Sequence, residues 1–319
     1  MYCYCLTGNI YFRTVPWAVE KSRIWQKFHP FMIGRLAARM ISSKELRKKL
    51  TRQYPFGGPE RSIIPEDKIE WDVPYPEYNP PRFTTEKVLH NKQWADKEDI
   101  ACGQFQWNAQ DKDVNRISHL GPYKIDKDGY PLNPVGRTGV RGRGNLGKWG
   151  PNHACDPVVT RWKHPREEKE CGSLVLPVLQ FIAIQRRDTG EWAIPGGMID
   201  PGESAAQALK REFLEEVFSI DEVDDTEKSK LQAAFEHLFT HGEEIYKGYV
   251  DDPRNTDNAW IETDCRNYHT DDSKITNLEL RAGSDAKNAQ WVDIGHDLTL
   301  YASHKFFIET VAKVHNAFW

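Results

Sequence analysis

Apolar and polar positions fall into different regimes along the chain. Phe31-Met-Ile-Gly-Arg-Leu-Ala-Ala-Arg-Met-Ile41 mixes apolar and basic residues in a way that suits an amphipathic helix. From Tyr54 to about Asn133 the pattern is broken by Pro55, Gly57-Gly58-Pro59, Val73-Pro74-Tyr75-Pro76 and Pro80-Pro81, so long helices are not expected there. Trp71, Trp94, Phe105 and Trp107 are available to anchor this stretch as a small irregular domain on a larger one. Val178-Leu-Gln-Phe-Ile-Ala-Ile184 is a short apolar run ended by Gln185-Arg-Arg-Asp-Thr-Gly190, and it predicts a buried strand. Ala205, Leu209, Phe213 and Val217 then recur at helical spacing, with Ser204 and Gln207 as a capping box, which predicts a helix from about Ala205 to Val217. The resulting division is residues 1–53 as a basic arm, 54–150 as a small N-terminal domain and 151–319 as the main domain.

Composition narrows the function classes. With 319 residues and 39% hydrophobic positions the chain is long enough for a substantial core. Residues 1–53 carry eleven Lys or Arg against Glu20 and Glu45, a balance of +9, so the net charge of −4 leaves −13 for the rest. An acidic body argues against broad nucleic-acid binding, while a single polyanionic ligand held by a few cations stays open. Cys3, Cys5, Cys102, Cys155, Cys171 and Cys265 form no Cys-x-x-Cys pair, and with no secretory signal they read as reduced thiols of an intracellular protein. No run approaches the roughly 18 apolar residues of a spanning helix, so no membrane span is expected. The acid-poor residues 1–53 are compatible with a mitochondrial presequence, the alternative being a solvated arm of a cytoplasmic protein.

The candidate chemistry starts after the strand. Gly197 is followed by five residues to Glu203, then seven to Arg211-Glu212-Phe213-Leu214-Glu215-Glu216. At about 3.6 residues per turn Glu212 and Glu216 stack with Glu215 beside them, on the edge neighbouring the apolar stripe. Three carboxylates so close repel one another, and they sit at the end of the helix where the macrodipole disfavours negative charge. Divalent cations remove that penalty, and an oxygen-only set suits Mg2+ or Mn2+ rather than zinc. Arg211 can hold a glutamate in position, Glu203 can reach back to the same network, and Gly197 permits a tight turn beside the metals. Upstream, Gly136-Arg-Thr-Gly-Val-Arg-Gly-Arg-Gly-Asn-Leu-Gly147 reads either as a phosphate-contacting loop, with Arg137 as a candidate, or as a flexible connector.

The spacing matches the Nudix box, G-x5-E-x7-R-E-U-x-E-E, with Phe218 where the pattern usually has glycine. Further motifs resemble the eukaryotic ADP-ribose pyrophosphatases over roughly residues 54–319: Gly136-Arg-Thr-Gly139, Gly150-Pro-Asn-His153, Thr160-Arg-Trp162, Glu191-Trp-Ala-Ile-Pro-Gly-Gly197 and Asp251-Asp-Pro-Arg-Asn-Thr-Asp-Asn-Ala-Trp260. They are also similar to the C-terminal domain of the ADP-ribose-gated melastatin-type channel, a relation to which Pro131-Leu-Asn-Pro134 and Tyr78-Asn-Pro-Pro81 add. The resemblance implies an α/β (α+β) Nudix fold, a mixed sheet sandwiched between helices behind the irregular N-terminal domain. It implies Mg2+-dependent hydrolysis of ADP-ribose to AMP and ribose 5-phosphate in a cleft between the two; the chain is expected to act as a monomer. A non-catalytic sensor of ADP-ribose and a Nudix enzyme for another nucleoside diphosphate are the alternatives.

Residue by residue, the resemblance gives metal and catalytic roles to Glu212, Glu215 and Glu216 with Arg211 and Glu203, and ligand contacts to Asp252, Arg254, Tyr301 and His304. Composition alone reads Asp251–Trp260 as a polar surface turn, and His304 as an ordinary surface or interface histidine. Trp192 is either core or a wall beside a nucleoside. Glu215 and Asp252 both remain candidates for taking the proton from water.

Overall fold

The computed structural model describes residues 47–90, 93–283 and 286–319; the amphipathic segment 31–41 expected from the sequence lies outside them. The N-terminal stretch carries little regular structure: strands β1 (Arg82–Thr84), β2 (Gln110–Asp111), β3 (Val114–Asn115) and β4 (Arg141–Gly144), with one short helix, α1 (Glu86–His90). Prolines and turn glycines remove ladder donors and redirect the chain too often for longer elements.

The main domain is built on a seven-stranded mixed sheet. Its members are β5 (Gly150–Trp162), β8 (Leu179–Arg186), β9 (Trp192–Ala193), β10 (Gly197–Met198), β11 (Glu243–Tyr249), β12 (Ala259–His269) and β13 (Ala286–Asp293). The order is β11-β12-β5-β8-β13, with β9 on β8 and β10 on β5, and β5 runs parallel to β12 over its whole paired length. A separate hairpin, β6 (Glu168–Cys171) and β7 (Leu174–Pro177), projects Leu174 and Val175 into solvent.

Alternation along the strands sends their side chains to two cores. Cys155, Val159, Ile182 and Ile184 face helices α2 (Ala205–Phe218) and α3 (Asp225–Glu236). Val158, Leu179, Phe181 and Ala183 face α5 (His304–Val314), which follows the single-turn α4 (Ser273–Thr276). The outcome is the helix–sheet–helix sandwich expected.

Helix α2 begins as its sequence dictates: Ser204 Oγ accepts from Gln207 N–H, and Gln207 Oε1 accepts from Ser204 N–H at 2.9 Å. Its buried stripe is wider than predicted, adding Ala208, Leu214 and Phe218, while Ala205 is only half-buried. Phe218 explains the missing glycine. Its ring packs on Phe235 with centroids 5.2 Å apart, and the left-handed turn that ends the helix moves one residue on, to Ser219 at φ 48°. Ser219 Oγ donates to the Ala282 carbonyl at 2.8 Å, which helps hold that conformation. At the centre of this core Phe213 is fully buried, and truncating it to alanine should cost about 3–5 kcal/mol.

The segment Asp251–Trp260 is not a surface turn. Asn255, Thr256, Asp257 and Asn258 are buried, and the N-terminal domain is stitched onto them. Arg61 donates to the carbonyls of Pro253 and Asn255, and Asp257 accepts from Tyr78 Oη at 2.7 Å and from the Thr138 N–H and hydroxyl. Polar residues can occupy a core when each finds a partner, and composition alone does not reveal that pairing.

Candidate active site

Arg211 on α2 organises the acidic cluster. Its Nε and one terminal nitrogen donate to the two oxygens of Glu203, each at 2.8 Å. The other terminal nitrogen bridges Glu212 Oε1 at 2.9 Å and Glu215 Oε2 at 3.1 Å. Burial raises the Glu203 carboxyl, but these bonds and the Asp200 amide outweigh it and hold it below the usual range. Glu212 goes the other way: desolvation, only partly offset by Arg211, pushes its carboxyl up to about 7. Glu215 is raised by burial as well.

Gly197 lies directly against Glu212. A Cβ at residue 197 would sit 2.4 Å from the Glu212 carboxyl carbon, so a side chain there would displace the carboxylate. The neighbouring Gly196 N–H donates to Glu216 Oε2 at 2.8 Å. Glu212 and Glu216 therefore face the same short loop and line one cleft of about 430 Å³. Glu215 does not line it; it borders a shallow surface groove with Lys210 and Lys228.

Three arginines, Arg186, Arg187 and Arg254, line the same cleft, together with Tyr301 and His304. The Arg186 guanidinium stacks over the Tyr301 ring at 4.4 Å. Arg254 is aimed by Asp252, which takes its Nε and a terminal nitrogen at 2.8 Å each and its backbone N–H at 2.8 Å. Burial opposes ionisation of Asp252, yet Arg254 holds its carboxyl below the ordinary value. Asp252 gives three acceptor positions to Arg254, and its lowered pKa makes it a weak base toward water. His304 Nδ1 accepts from the Ile194 N–H at 2.9 Å, and Nε2 faces Asp156 at 3.6 Å. Burial pulls the imidazole down to about 3 and pushes Asp156 up to about 6, so His304 is neutral near pH 7.

Two expected ligand contacts lie elsewhere. The two terminal nitrogens of Arg137 donate to the carbonyls of Lys68, Glu70 and Val73 and the guanidinium stacks over Trp71 at 4.9 Å, so the side chain is held inside the N-terminal domain and does not line the cleft. Its glycine neighbours are closely packed, unlike a flexible connector. A Cβ on Gly136, Gly139 or Gly142 would strike the backbone of Ile69, Ser62 or Phe83 within 2.6 Å, which marks a close-packed seat for the preceding strap. Trp192 packs against the α5-side core and its carbonyl accepts from Tyr301 N–H; its indole is not among the cleft's lining. The indole that does face ligand-sized space is Trp94, in an adjoining hollow of about 290 Å³ that shares Met198 and Arg254 with the cleft. The cleft itself is lined only by residues 154 to 304 of the main domain, and N-terminal residues enter at the adjoining hollow, with Trp94 and Asn145 to Lys148. Arg186, Arg187 and Asp156 escaped the sequence reading: the first two looked like the polar end of a strand, and Asp156 is a lone acid in an apolar run.

Comparison with known proteins decides the family. Residues 64–150 match the family described as NUDT9-like, N-terminal domain, and residues 166–294 match the NUDIX domain. A mitochondrial ADP-ribose pyrophosphatase of Rattus norvegicus is 48% identical over 285 residues, spanning 88% of this chain and 81% of its own. The chain belongs to the Nudix family. A putative nudix hydrolase 6 of Caenorhabditis elegans is 44% identical over 258 residues, 80% of this chain and 92% of that one. A transient receptor potential cation channel subfamily M member-like 2 of Nematostella vectensis is 45% identical over 280 residues, but this chain spans only 18% of that channel's length. Among the described residues no helix is long and apolar enough to cross a membrane.

For this Nudix chain the acidic site fits a divalent cation. Glu212, largely buried at the cleft wall and sharing a single Arg211 nitrogen with Glu215, is short of positive charge, and Glu212 and Glu216 offer oxygen ligands.

Proposed function

We propose that this protein hydrolyses the diphosphate of ADP-ribose, giving AMP and ribose 5-phosphate, with Mg2+ or Mn2+ as the working ion. The observation that carries the reading is that Glu212 and Glu216 share a cleft with Arg186, Arg187 and Arg254. Glu212 and Glu216 suit a dication and the three guanidiniums suit a diphosphate, with Asp188 and Asp252 of the same cleft pairing with Arg186 and Arg254. The pyrophosphatase name of the rat relative supports the substrate.

Glu212 and Glu216 hold the ion, Gly197 leaves room for the Glu212 carboxylate, and Arg211 fixes the acids with Glu203 and Glu215 as its braces. A bound dication neutralises diphosphate charge and eases loss of a proton from water. Arg254, pinned by Asp252, meets the charge that grows on phosphate oxygens. Tyr301 and His304 line the ligand, the neutral imidazole offering an Nε2–H donor. Mitochondrial placement is supported by the rat relative's name and by the basic residues 1–53.

Chromatography of ADP-ribose incubated with the protein and Mg2+ tests the reading. AMP and ribose 5-phosphate are expected from the wild type, falling to background for Glu212→Gln and Glu216→Gln with the fold retained. Intact ADP-ribose bound with measurable affinity would overturn hydrolysis in favour of the sensing role that the channel relative raises. Faster cleavage of NAD, diadenosine compounds or capped RNA would overturn the substrate.

A further inference from the structure

A second cluster of ligating side chains lies outside the Nudix helix. Among the described residues, His119, His153 and Glu262 form the trio of metal-capable groups whose donor atoms all lie within 4.8 Å of one another. Strand register places two of them together, since Glu262 on β12 is the direct partner of His153 on β5. The third arrives from the N-terminal domain, in the loop after β3, and its ring centroid is 4.7 Å from that of His153.

Both histidines are in the neutral state a metal ligand needs, while burial raises the Glu262 carboxyl, which a bound cation would ionise. Burial, followed by their mutual repulsion and Lys247, pulls His119 down to about 3, and burial with Lys247 pulls His153 down to about 4, so both are neutral near pH 7. Both His153 nitrogens are sealed from solvent, and among the described residues neither meets a hydrogen-bond partner; the Ile117 carbonyl lifts its pKa slightly without reaching hydrogen-bond geometry. A neutral imidazole whose two buried nitrogens meet no protein partner has a lone pair to offer a ligand.

Glu262 is fully buried and oriented by outer donors: Ser118 Oγ at 2.6 Å, Trp260 Nε1 at 2.7 Å and the His119 N–H at 2.5 Å. Such outer bonds are how proteins aim metal-binding carboxylates. Among the described residues no lysine or arginine pairs with it, and Lys247 is itself bonded to Asp264 at 2.9 Å.

We propose that His119, His153 and Glu262 bind one borderline transition-metal dication, of which Zn2+ is the reference, and that it fastens the N-terminal loop to the β5–β12 pair. Two imidazoles and a carboxylate suit such an ion, whereas the oxygen-only Nudix acids suit a hard one, so the two sites sort ions by donor chemistry. Both imidazoles also border a cavity of about 540 Å³, which leaves room for a solvent ligand.

The test titrates Zn2+ into the EDTA-stripped full chain by calorimetry, with Mg2+ in large excess, and repeats the binding with Co2+ read by its visible absorption. About one equivalent should bind, unchanged in a Glu212→Gln, Glu216→Gln double variant, with the intense Co2+ bands of a four-coordinate site. His153→Gln should abolish this binding and His119→Gln weaken it at least about tenfold. Zn2+ should raise the melting temperature of the wild type and of neither variant. His119 is half-exposed, so His119→Gln serves if His153→Gln fails to fold by circular dichroism. Absence of Zn2+ binding, binding equal in wild type and His119→Gln, or binding lost with the Nudix acids would overturn the proposal.

Discussion

Arg211 and Glu203 face each other through two parallel bonds of 2.8 Å, and the guanidinium's remaining terminal nitrogen is shared by Glu212 and Glu215. A planar fork can serve three acids at fixed angles, which a lysine ammonium cannot. Arg211→Lys should keep the charge and lower kcat about 10–100-fold. Steady-state kinetics with ADP-ribose checks this, and a kcat within twofold of wild type would remove Arg211 from the positioning network.

Gly197→Ala is the sharper geometric test. The inserted Cβ meets the end of the Glu212 side chain, which can swing away, so the fold should survive while the carboxylate moves. A displacement near 1 Å at such a group lowers kcat by about 100-fold. Thermal melts alongside kinetics should show a melting temperature within about 2 °C of wild type; equal losses in both would mean that the glycine serves the loop rather than Glu212.

Much of this site was legible in the sequence, for a physical reason. Helix periodicity, a capping box and fixed acid spacing are local, so Arg211, Glu203 and Glu212 could be placed before any fold was known. Arg137 was misread because its partners, the carbonyls of Lys68 to Val73, come from a distant strap that no local pattern announces. The same holds for Asn255 to Asn258, whose polarity looks solvent-facing until the N-terminal domain covers it. Trp192 was ambiguous in composition and resolved only by packing.

The raised Glu212 carboxyl has a thermodynamic signature in EDTA. Its pKa is about 7 folded against 4.5 as the reference, so the folded state binds the proton more tightly. Stability from this group is complete below pH 4.5 and is lost as the pH rises through 7. Glu212→Gln lacks that loss, so calorimetry should show the variant gaining on wild type by about 2–3 kcal/mol between those limits. Saturating Mg2+ should close the gap by neutralising the ionised carboxylate; a difference independent of pH would contradict the assignment of this titration to Glu212.

Arg137→Met separates packing from ligand contact. Losing the three carbonyl bonds should destabilise the protein by about 2–4 kcal/mol. KM for ADP-ribose should stay within about twofold, because the side chain is remote from the cleft. Urea unfolding and KM together decide, and a selective rise in KM without loss of stability would return Arg137 to the ligand.

Strand β5 runs unbroken from Gly150 to Trp162 in the middle of the sheet, flanked by β12 and β8. The N-terminal family match stops at residue 150 and the Nudix match begins at 166, so this strand of the main sheet lies, beyond Gly150, outside both matches. The two family segments are therefore not interchangeable cassettes. A graft joined at residue 166 would part β5 from β8 and β12, both of which follow it in the chain, whereas a join ahead of Gly150 keeps the sheet whole.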